Sequence, residues 1–347
     1  MMGGLGNQRG RGNICVAGGG YWGKNLIRNF SALGSLYGIC DSNASSLAAL
    51  AAQYPAAKTY PSFQDALDDK HVDAIVLATP AEQHHPMGLA ALAAGKDLFV
   101  EKPLALEYAD GLEMVEQARH HSRVLMVGHL LRYHPAIEKI HQLMREGVLG
   151  RIDYIYSNRL SMGKIRQEEN ALWSFAPHDI SVILSIVGQM PVQVTATGGA
   201  YLQPNIADVT LSNLLFDRGT RAHIFVSWLH PYKEQRLVVV GSKQMLVFED
   251  SRAQDKLMLF DKNIEWKNGA MEASRPSGVA VAFDAEEPLR RECAHFIDCV
   301  VNRKEPLTTG EEGVRVLQVL QACQRSLQMN GEPVQVGSGG RQKILTI

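Results

Sequence analysis

The stretch Gly18-Gly19-Gly20-Tyr21-Trp22-Gly23 decides the fold of the first part of this chain. It follows the apolar run Ile14–Ala17, which predicts a buried strand, and it precedes Leu26, Ile27 and Phe30, which recur at helical spacing. A buried strand, a glycine-rich turn and a helix in that order are typical of the start of a doubly wound, nucleotide-binding sheet. A glycine turn that binds nothing is the alternative interpretation.

The three spaced glycines of this turn have distinct geometric roles in such a fold. Gly18 allows the tight turn, Gly20 lets a pyrophosphate approach the backbone, and Gly23 lets the helix and the strand pack closely. The pyrophosphate would then lie at the start of the helix, beside Tyr21 and Trp22, where free amides and the helix dipole favour anions. We therefore predict that these five residues bind a dinucleotide.

An acidic residue ends the second predicted strand, Leu36–Cys40. Asp41 lies 18 residues after Gly23, where a carboxylate hydrogen-bonds the ribose hydroxyls of NAD and repels the 2′-phosphate of NADP. No lysine or arginine occurs from Ser42 to Gln53 to bind that phosphate. The sequence therefore predicts NAD as the cofactor.

Short apolar runs alternate with helical stretches up to about Gly128. This alternation predicts an α/β fold with a parallel sheet that helices cover on both faces. We expect a flexible leader at residues 1–12 and a Rossmann NAD-binding domain at residues 13–128. The predicted strands are Ile14–Ala17, Leu36–Cys40, Ala74–Ala78, Leu98–Val100 and Val124–Gly128, and the predicted helices include Ser45–Gln53, Tyr108–His121 and an alanine-rich helix that ends at Gly95.

After Gly128, long alternating strands replace the buried runs. Consecutive strands with short turns such as Asp217-Arg218-Gly219 predict a large, mainly antiparallel open sheet. We expect residues 129–347 to form an α+β domain for substrate binding and oligomerisation, with its closing helices packing back at the domain junction. The predicted helices are Ala136–Arg145, His178–Val187, Pro288–Val301 and Glu311–Met329, and the predicted strands are Arg151–Asn158, Val192–Thr197, Val209–Phe216, Thr220–Trp228, Arg236–Val240, Met245–Phe248 and Lys256–Phe260.

The open sheet also predicts an interface between subunits. The strand Thr220–Trp228 would bury Ala222 and Ile224 on one face and carry Arg221 and His223 on the other. A large sheet with a face that local helices leave uncovered usually meets another subunit. We therefore expect a homo-oligomer, either a dimer or a tetramer.

The composition excludes several other classes of protein. Hydrophobic residues make up 46% of the 347 residues and charged residues 20%, as in globular proteins, and the formal net charge is −1. No broad positive field therefore attracts nucleic acid or an anionic membrane, and no apolar stretch reaches the length of a membrane span. Five scattered cysteines without CxxC spacing indicate reduced thiols, so we expect a cytoplasmic protein.

Two further strand ends carry candidate site residues. Thr79-Pro80 follows the strand Ala74–Ala78, and Glu101-Lys102-Pro103 follows the strand Leu98–Val100, at the edge of the sheet where ligands of open α/β sheets bind. The ammonium of Lys102 beside NAD⁺ could polarise a substrate hydroxyl or accept its proton. A structural turn at Thr79-Pro80 and a solvated surface charge at Lys102 are the alternatives.

A second candidate for acid–base chemistry is His178. Ser174 and Pro177 are start signals for the helix that follows, and His178 lies off the apolar stripe of that helix. In a first turn the helix dipole would keep the imidazole neutral and able to accept a proton. A surface histidine at a helix end is the alternative. Since no HExxH or related ligand spacing occurs, we expect no metal.

Together these features resemble the glucose–fructose oxidoreductase/inositol dehydrogenase family, also written Gfo/Idh/MocA. The resemblance covers everything after the leader, and Glu101-Lys102-Pro103 is its most specific part. It implies that Lys102 is catalytic, that His84, Glu101 and Lys102 bind the cofactor, and that His178 is the catalytic histidine and binds the substrate. Many members carry an aspartate four residues before that histidine, where this chain has Ser174. The other matching segments are the glycine turn, Asp41, Thr79-Pro80 and Gly95-Lys96.

Within that family the chain resembles the nucleotide-sugar branch. This branch includes UDP-N-acetylglucosamine 3-dehydrogenase and its relatives that act on the uronic acid. These enzymes oxidise the C3 hydroxyl of the sugar so that an aminotransferase can install nitrogen there. The resemblance rests on residues 128–135, 157–159 and 168–181, and on Ser227-Trp228-Leu229-His230-Pro231.

A UDP-sugar carries a diphosphate, which a near-neutral protein must bind through a local group of cations. Arg159, Lys164 and Arg166 lie in the polar segment before the His178 helix and could form such a clamp. A solvated, charged loop is the alternative. Tyr133 and Trp173 offer flat rings for the sugar or the uracil, with a place in the core as the alternative.

These observations predict an NAD-dependent dehydrogenase that oxidises C3 of UDP-N-acetylglucosamine. Lys102 would hydrogen-bond the hydroxyl, and His178 would remove its proton directly or through Lys102, if the site lies between the domains. The same chemistry on UDP-N-acetylglucosaminuronate, or on a cyclic polyol such as inositol, is the alternative. A scaffold that binds the dinucleotide without catalysis, and an enzyme that recycles its NAD in place, are further alternatives.

Overall fold

The computed structural model describes residues 12–163, 165–262, 264–273 and 277–337. By its internal contacts the described chain divides into two compact units. Unit 1 comprises residues 12–134 and 286–317, and unit 2 comprises residues 135–285 and 318–337.

Unit 1 is built on a six-stranded parallel sheet with the strand order β3-β2-β1-β4-β5-β6. Strands β1, β4 and β5 are fully buried, as the unbroken apolar runs in the sequence predict. Its strands and first helices are β1 (Ile14–Ala17), α1 (Tyr21–Ala32), β2 (Leu36–Cys40), α2 (Ala44–Gln53), β3 (Lys58–Tyr60), α3 (Phe63–Asp68), β4 (Ala74–Leu77), α4 (His84–Ala93), β5 (Asp97–Glu101), α5 (Tyr108–His120) and β6 (Leu125–Gly128).

Unit 2 holds a nine-stranded sheet with the strand order β16-β13-β12-β11-β7-β10-β9-β8-β17 within the described ranges. Every pair in it is antiparallel except β7 with β10. A two-stranded ribbon of β14 and β15 lies apart from this sheet. The elements are α6 (Pro135–Arg145), β7 (Ile152–Leu160), α7 (Ala171–Val187), β8 (Gln193–Gly199), β9 (Val209–Leu215), β10 (Arg221–Ser227), β11 (Glu234–Gly241), β12 (Gln244–Glu249), β13 (Leu257–Asp261), β14 (Ile264–Lys267), β15 (Ala270–Ala273), β16 (Gly278–Ala280) and β17 (Val334–Gln335).

The fold class predicted from the sequence is confirmed: a parallel α/β sheet is followed by a large, mainly antiparallel sheet with helices. Strand β3 and helix α3 were not predicted. Strand β3 has only three residues and begins with the exposed Lys58, so it carries neither a buried run nor an alternation.

The predicted start of the His178 helix is wrong. Helix α7 begins at Ala171, and the side chain of Asn170 caps it by accepting a hydrogen bond from the Trp173 amide at 3.1 Å. Pro177 lies inside the helix instead of starting it. His178 is therefore the eighth helical residue, where the dipole of the first turn no longer acts on its ring.

Helix α7 packs against one face of the sheet at β7, β9 and β10. Ile155, Ala222 and Ile224 of that face are buried. The opposite face carries Tyr154, Tyr156 and His223, all partly exposed. The rings of Tyr156 and His223 stack with centroids 5.2 Å apart, and the Tyr154 hydroxyl hydrogen-bonds His223 Nδ1. We refer to these three residues as the aromatic patch.

Two helices lie between β16 and β17 in the sequence: α8 (Pro288–Asn302) and α9 (Gly310–Gln328). Helix α8 contributes Cys293 and Phe296 to the core of unit 1. The ring of Phe296 lies 5.5 Å from that of Phe99 in β5 and 6.4 Å from that of Phe30 in α1. A segment late in the sequence therefore completes the core that the first 134 residues begin.

Candidate functional site

The backbone of the glycine turn leaves no room for side chains at two positions. Gly18 has a φ of +102°, and a Cβ there would lie 2.6 Å from the carbonyl oxygen of Ala78 at the end of β4. A Cβ at Gly23 would lie 1.8 Å from the carbonyl oxygen of Gly18, so only glycine allows α1 to pack this closely on the turn. Gly20, by contrast, is exposed and has nothing within 4 Å of its Cβ position. Its open surroundings are compatible with the close approach of a ligand to the backbone.

The start of helix α1 suits an anion. Gly20 is the N-cap, no side chain caps the helix, and its first turn carries no acidic residue. Tyr21 is 88% exposed beside these amides. Trp22 instead points its Nε1 hydrogen at Oε1 of Glu101. The predicted contact of Tyr21 with the dinucleotide therefore fits its position, whereas the indole N–H of Trp22 is already engaged.

Asp41 lies directly behind the glycine turn. Its Oδ2 accepts a hydrogen bond from the amide of Gly19 at 2.6 Å, and its Oδ1 accepts one from the amide of Asn43 at 2.7 Å. Each carboxylate oxygen can accept more than one hydrogen bond, and the side chain is partly exposed. The carboxylate is therefore held in place by backbone amides and keeps acceptor capacity for ribose hydroxyls.

Three strand ends meet at the same edge of the parallel sheet. Because β1, β4 and β5 are neighbours, the glycine turn, Thr79-Pro80 and Glu101-Lys102-Pro103 follow adjacent strands. Thr79 Oγ1 is buried and has no hydrogen-bond partner among the described residues, while Pro80 is exposed. The peptide bond between Lys102 and Pro103 is cis. The sheet thus gathers the residues predicted from separate parts of the sequence.

His84 does not face solvent at this edge, which corrects the predicted direct contact with the cofactor. It is 1% exposed, and both of its ring nitrogens lie against backbone carbonyl oxygens. Nδ1 lies 2.7 Å from the oxygen of Pro103, and Nε2 lies 3.0 Å from the oxygen of Thr79. The ring thus lies between the two loops and contacts a backbone carbonyl oxygen of each.

Glu101 is likewise a buried residue behind the edge and not an exposed ligand. In addition to the indole of Trp22, its carboxylate accepts a hydrogen bond from the backbone amide of Lys102 at 3.3 Å. Burial raises the pKa of Glu101 to about 7, although the Trp22 hydrogen bond and the charge of Lys102 oppose this shift.

Two buried polar residues near this turn were missed in the sequence. Glu292 of α8 is 0% exposed, and neither of its carboxylate oxygens has a hydrogen-bond partner among the described residues. Burial and then the charge of Glu101 raise its pKa well above the usual value. His129, 1% exposed after β6, also has no partner on either ring nitrogen within the described ranges, and burial lowers its pKa to about 3. Burial therefore favours the neutral form of both groups. Glu292 lies between the apolar positions Leu289, Cys293 and Phe296, and this placement was a signal in the sequence.

Tyr133 is a core residue of unit 1, which corrects its predicted role as a sugar or uracil platform. It is 6% exposed and packs in the cluster that contains Phe99 and Phe296. Its hydroxyl lies 2.9 Å from Oγ1 of Thr308. The alternative given by the sequence, a place in the core, is the one that the burial favours.

Arg159 has a buried carboxylate partner. Its Nε donates to Asp179 Oδ2 at 2.8 Å and its terminal nitrogen to Oδ1 at 3.2 Å, with both residues less than 10% exposed. Ser157 donates to the same carboxylate at 2.6 Å. The positive charge that was predicted to clamp a diphosphate is thus compensated within unit 2.

The remaining predicted substrate residues differ in their surroundings. Arg166 forms ion pairs with Glu168 at 3.4 Å and with Glu169 at 3.0 Å. Trp173 donates its Nε1 hydrogen to Gln324 at 3.0 Å. Lys164 lies outside the described residues.

Lys102 lies in unit 1 and His178 in unit 2. His178 is partly exposed and is followed by Asp179, whose carboxylate is taken up by Arg159 and Ser157. That carboxylate therefore does not replace the aspartate that many family members carry four residues before the histidine.

No three histidine, cysteine, aspartate or glutamate side chains among the described residues are grouped so that they could hold a metal ion. None of the helices in the described part of the chain combines the length and the apolar character that crossing a membrane requires.

Comparison with protein families shows the family to which the chain belongs. A model described as an oxidoreductase family with an NAD-binding Rossmann fold matches residues 12–129, and the model of the GFO/IDH/MocA C-terminal domain matches residues 137–247. The chain belongs to the Gfo/Idh/MocA family. Its first part is an NAD-binding Rossmann domain, and the protein is an NAD-dependent oxidoreductase. The predictions of the family, of the enzyme class and of NAD are confirmed.

Proteins that resemble this chain have different named activities. UDP-N-acetylglucosamine 3-dehydrogenase of Acidithiobacillus ferrooxidans is 29% identical over 308 residues, which cover 87% of this chain and 93% of that protein. The scyllo-inositol 2-dehydrogenase (NAD(+)) of Bacillus subtilis is 25% identical over 285 residues, or 78% of this chain and 80% of that protein. The WlbA dehydrogenase of Bordetella pertussis, solved with NADH and UDP-GlcNAcA, has a TM-score of 0.77 at 22% identity and covers 94% of this chain and 99% of its own.

Proposed function

We propose that this Gfo/Idh/MocA protein oxidises a sugar hydroxyl with NAD⁺, and that its substrate is UDP-N-acetylglucosamine, oxidised at C3. The position of Lys102 carries the proposal. Lys102 follows β5 and the glycine turn follows β1, two strands away, so both lie at the same edge of the sheet. Similarity to the Acidithiobacillus 3-dehydrogenase over 87% of the chain supports the choice of substrate.

The proposed chemistry assigns separate roles to Lys102 and His178. NAD⁺ is the hydride acceptor for the sugar carbon when it is bound. Lys102 hydrogen-bonds the hydroxyl that is oxidised, and His178 takes up its proton directly or through Lys102. The hydrogen bond from the Lys102 amide to the Glu101 carboxylate holds the backbone at Lys102.

A panel of substrates tests this proposal. NADH formation is measured by absorbance with NAD⁺ and UDP-N-acetylglucosamine, UDP-N-acetylglucosaminuronate, UDP-glucose or inositols. We expect the first to give a kcat/KM at least about tenfold above the others, which corresponds to about 1.4 kcal/mol. Faster turnover of another sugar would assign the substrate differently.

A matched pair of lysine variants tests the mechanism. Lys102→Met should lower kcat by about 10²-fold or more while the protein still binds NADH, because the hydroxyl loses its polar partner. Lys70→Met, which removes an exposed lysine of the same unit, is the control and should keep full turnover. Full turnover by the Lys102 variant would refute the role of Lys102.

One observation favours a second candidate, a free cyclic polyol such as an inositol. Arg159 and Arg166, the described cations predicted to hold a diphosphate, are both paired with carboxylates. A polyol needs no such clamp, and the chain is also similar to the scyllo-inositol dehydrogenase. The same substrate panel distinguishes the two candidates, because only the polyol proposal predicts NADH formation from a substrate that carries no nucleotide.

We further propose a homo-oligomer that forms through the open face of the second sheet, and a sugar aminotransferase as the enzyme that consumes the ketone. The aromatic patch supports the first, since three adjacent rings on one sheet face remain partly exposed. The aminotransferase is proposed because the 3-keto sugar that the oxidation yields is the class of substrate that such an enzyme requires.

A further inference from the structure

His84 is a histidine of the cofactor edge that the reaction as proposed does not use. It opens helix α4 and is 1% exposed. Its ring lies between the carbonyl oxygen of Thr79, which follows β4, and that of Pro103, which follows Lys102. The histidine therefore contacts both the segment that follows β4 and the segment that follows β5. The predicted catalytic lysine, Lys102, lies in the second of these segments.

The two contacts cross between neighbouring strands. Strands β4 and β5 pair in parallel register up to Leu77 and Val100, and beyond that point the ladder of backbone hydrogen bonds ends. Beyond that point the ring of His84 lies between the next two turns, and in its neutral form it donates a hydrogen bond to one of their two carbonyl oxygens. A buried carbonyl oxygen that lost this partner would keep the free-energy cost of desolvation without a hydrogen bond to compensate it. The turn would then lower its free energy by moving.

The ring chemistry determines how strong this link is. A neutral imidazole has one N–H and donates to one carbonyl oxygen, whereas the imidazolium donates to both. Burial lowers the pKa of His84, and the charge of Lys102 adds to this effect, while the carbonyls of Pro103 and Thr79 and the charge of Glu82 oppose it. We assign the donor of the neutral ring to Nδ1, because its contact with Pro103 is the shorter one at 2.7 Å.

We propose that His84 is a positioning residue that fixes the Lys102–Pro103 turn against the end of β4 and thereby places the Lys102 ammonium for the reaction. This inference rests on the proposed function, in which Lys102 contacts the substrate hydroxyl. The Pro103 carbonyl is one residue beyond Lys102, so movement of this carbonyl moves the lysine backbone. A displacement of about 1 Å at a reacting group can lower a rate by about 10²-fold.

Substitution with a ring that cannot donate tests the link. His84→Phe should lower kcat by about tenfold or more, with the Kd for NADH within about threefold of the wild-type value, because the cofactor turn itself is unchanged. His84→Gln should recover most of the activity, since its amide can donate to a carbonyl. His85→Gln is the matched control on the next residue, whose ring pairs with Glu113 and Asp110, and it should behave as wild type.

Two outcomes of the kinetics would overturn the proposal. A His84→Phe protein with kcat within about twofold of wild type would show that the link does not place Lys102. Equal losses of kcat and NADH affinity would assign His84 to cofactor binding instead. If the phenylalanine variant does not fold, His84→Asn replaces it, because its shorter side chain does not reach Pro103, and the comparison with His84→Gln decides in the same way.

Hydrogen exchange gives a readout that does not depend on any substrate. Amides in residues 102–107 should exchange about tenfold faster in His84→Phe than in wild type, while those of β1 keep their rate. Unchanged exchange at residues 102–107 would refute the link. If the wild-type protein oxidises no sugar at all, the proposed function fails, and this exchange experiment still decides whether His84 holds the turn.

Discussion

Glu101→Gln is the perturbation with the sharpest expected consequence for stability. Glu101 is 9% exposed, and its carboxylate accepts a hydrogen bond from the backbone amide of Lys102. Burial raises its pKa from 4.5 to about 7. Glutamine keeps the shape of the side chain and an oxygen that can accept from the Trp22 indole, but it cannot ionise. The substitution therefore removes the charge without creating a cavity.

The magnitude follows from the raised pKa. Because the folded protein holds the Glu101 proton more tightly than the unfolded chain, stability falls as the pH rises from about 4.5 to about 7, and the loss is complete above that value. At about 1.4 kcal/mol per pH unit, ionisation of Glu101 costs about 3 kcal/mol. The free energy of unfolding of Glu101→Gln, relative to wild type, should therefore rise by about 3 kcal/mol between about pH 4.5 and pH 8.5.

Urea unfolding followed by circular dichroism at several pH values measures this difference. Titrating groups that do not interact with Glu101 act equally in both proteins and cancel, whereas Glu292, whose pKa the charge of Glu101 raises, contributes to the measured difference. The control is Glu116→Gln, which removes an exposed carboxylate of α5 and should give a flat difference. A difference between Glu101→Gln and wild type that stays within about 1 kcal/mol over this range would refute the reasoning. The indole N–H resonance of Trp22, identified with Trp22→Phe, should also titrate near pH 7 in wild type and not in Glu101→Gln.

Three further outcomes follow from the geometry. Gly23→Ala should lower the unfolding free energy by more than about 2 kcal/mol, since its Cβ would lie 1.8 Å from a carbonyl oxygen. Gly20→Ala has open space around its Cβ and should therefore unfold like wild type, but it should weaken NADH binding in a fluorescence titration. Asp41→Ala should raise the ratio of kcat/KM for NADP to that for NAD by about tenfold or more, because it removes the carboxylate that repels the 2′-phosphate. Tyr156→Asp in the aromatic patch should lower the mass measured by light scattering to that of a single chain, whereas the exposed Tyr232→Asp should not.

The fold of unit 1 was accessible from the sequence because its central strands are buried on both faces. The predicted bounds Ile14–Ala17 and Leu36–Cys40 are the observed ones, and Ala74–Ala78 differs by one residue. An unbroken apolar run marks such a strand without any knowledge of its neighbours. Strand β3 lacked this signal, since it pairs only at the edge of the sheet.

The start of helix α7 shows where local rules conflict. Pro177 is a strong start signal and Asn170 a common one, and the sequence gives no measure of which prevails. In the structure Asn170 caps the helix, and its Nδ2 also bonds to Gln324 in α9 at 2.9 Å. A contact between residues 154 positions apart thus supports the cap, and no local pattern contains it.

The same limit applies to the charges of the candidate site, and it separates Lys102 from the predicted clamp. A sequence shows where a cation is but not which carboxylate neutralises it: Asp179 pairs with Arg159 from another element, 20 residues away. For Lys102 the nearest carboxyl group in sequence, Glu101, is directed to the Trp22 indole and to a backbone amide, and burial opposes its ionisation. The ion pair with Asp179 makes Arg159 a candidate for structure, whereas Lys102 is the candidate for chemistry because it follows β5 at the edge of the sheet that also carries the glycine turn.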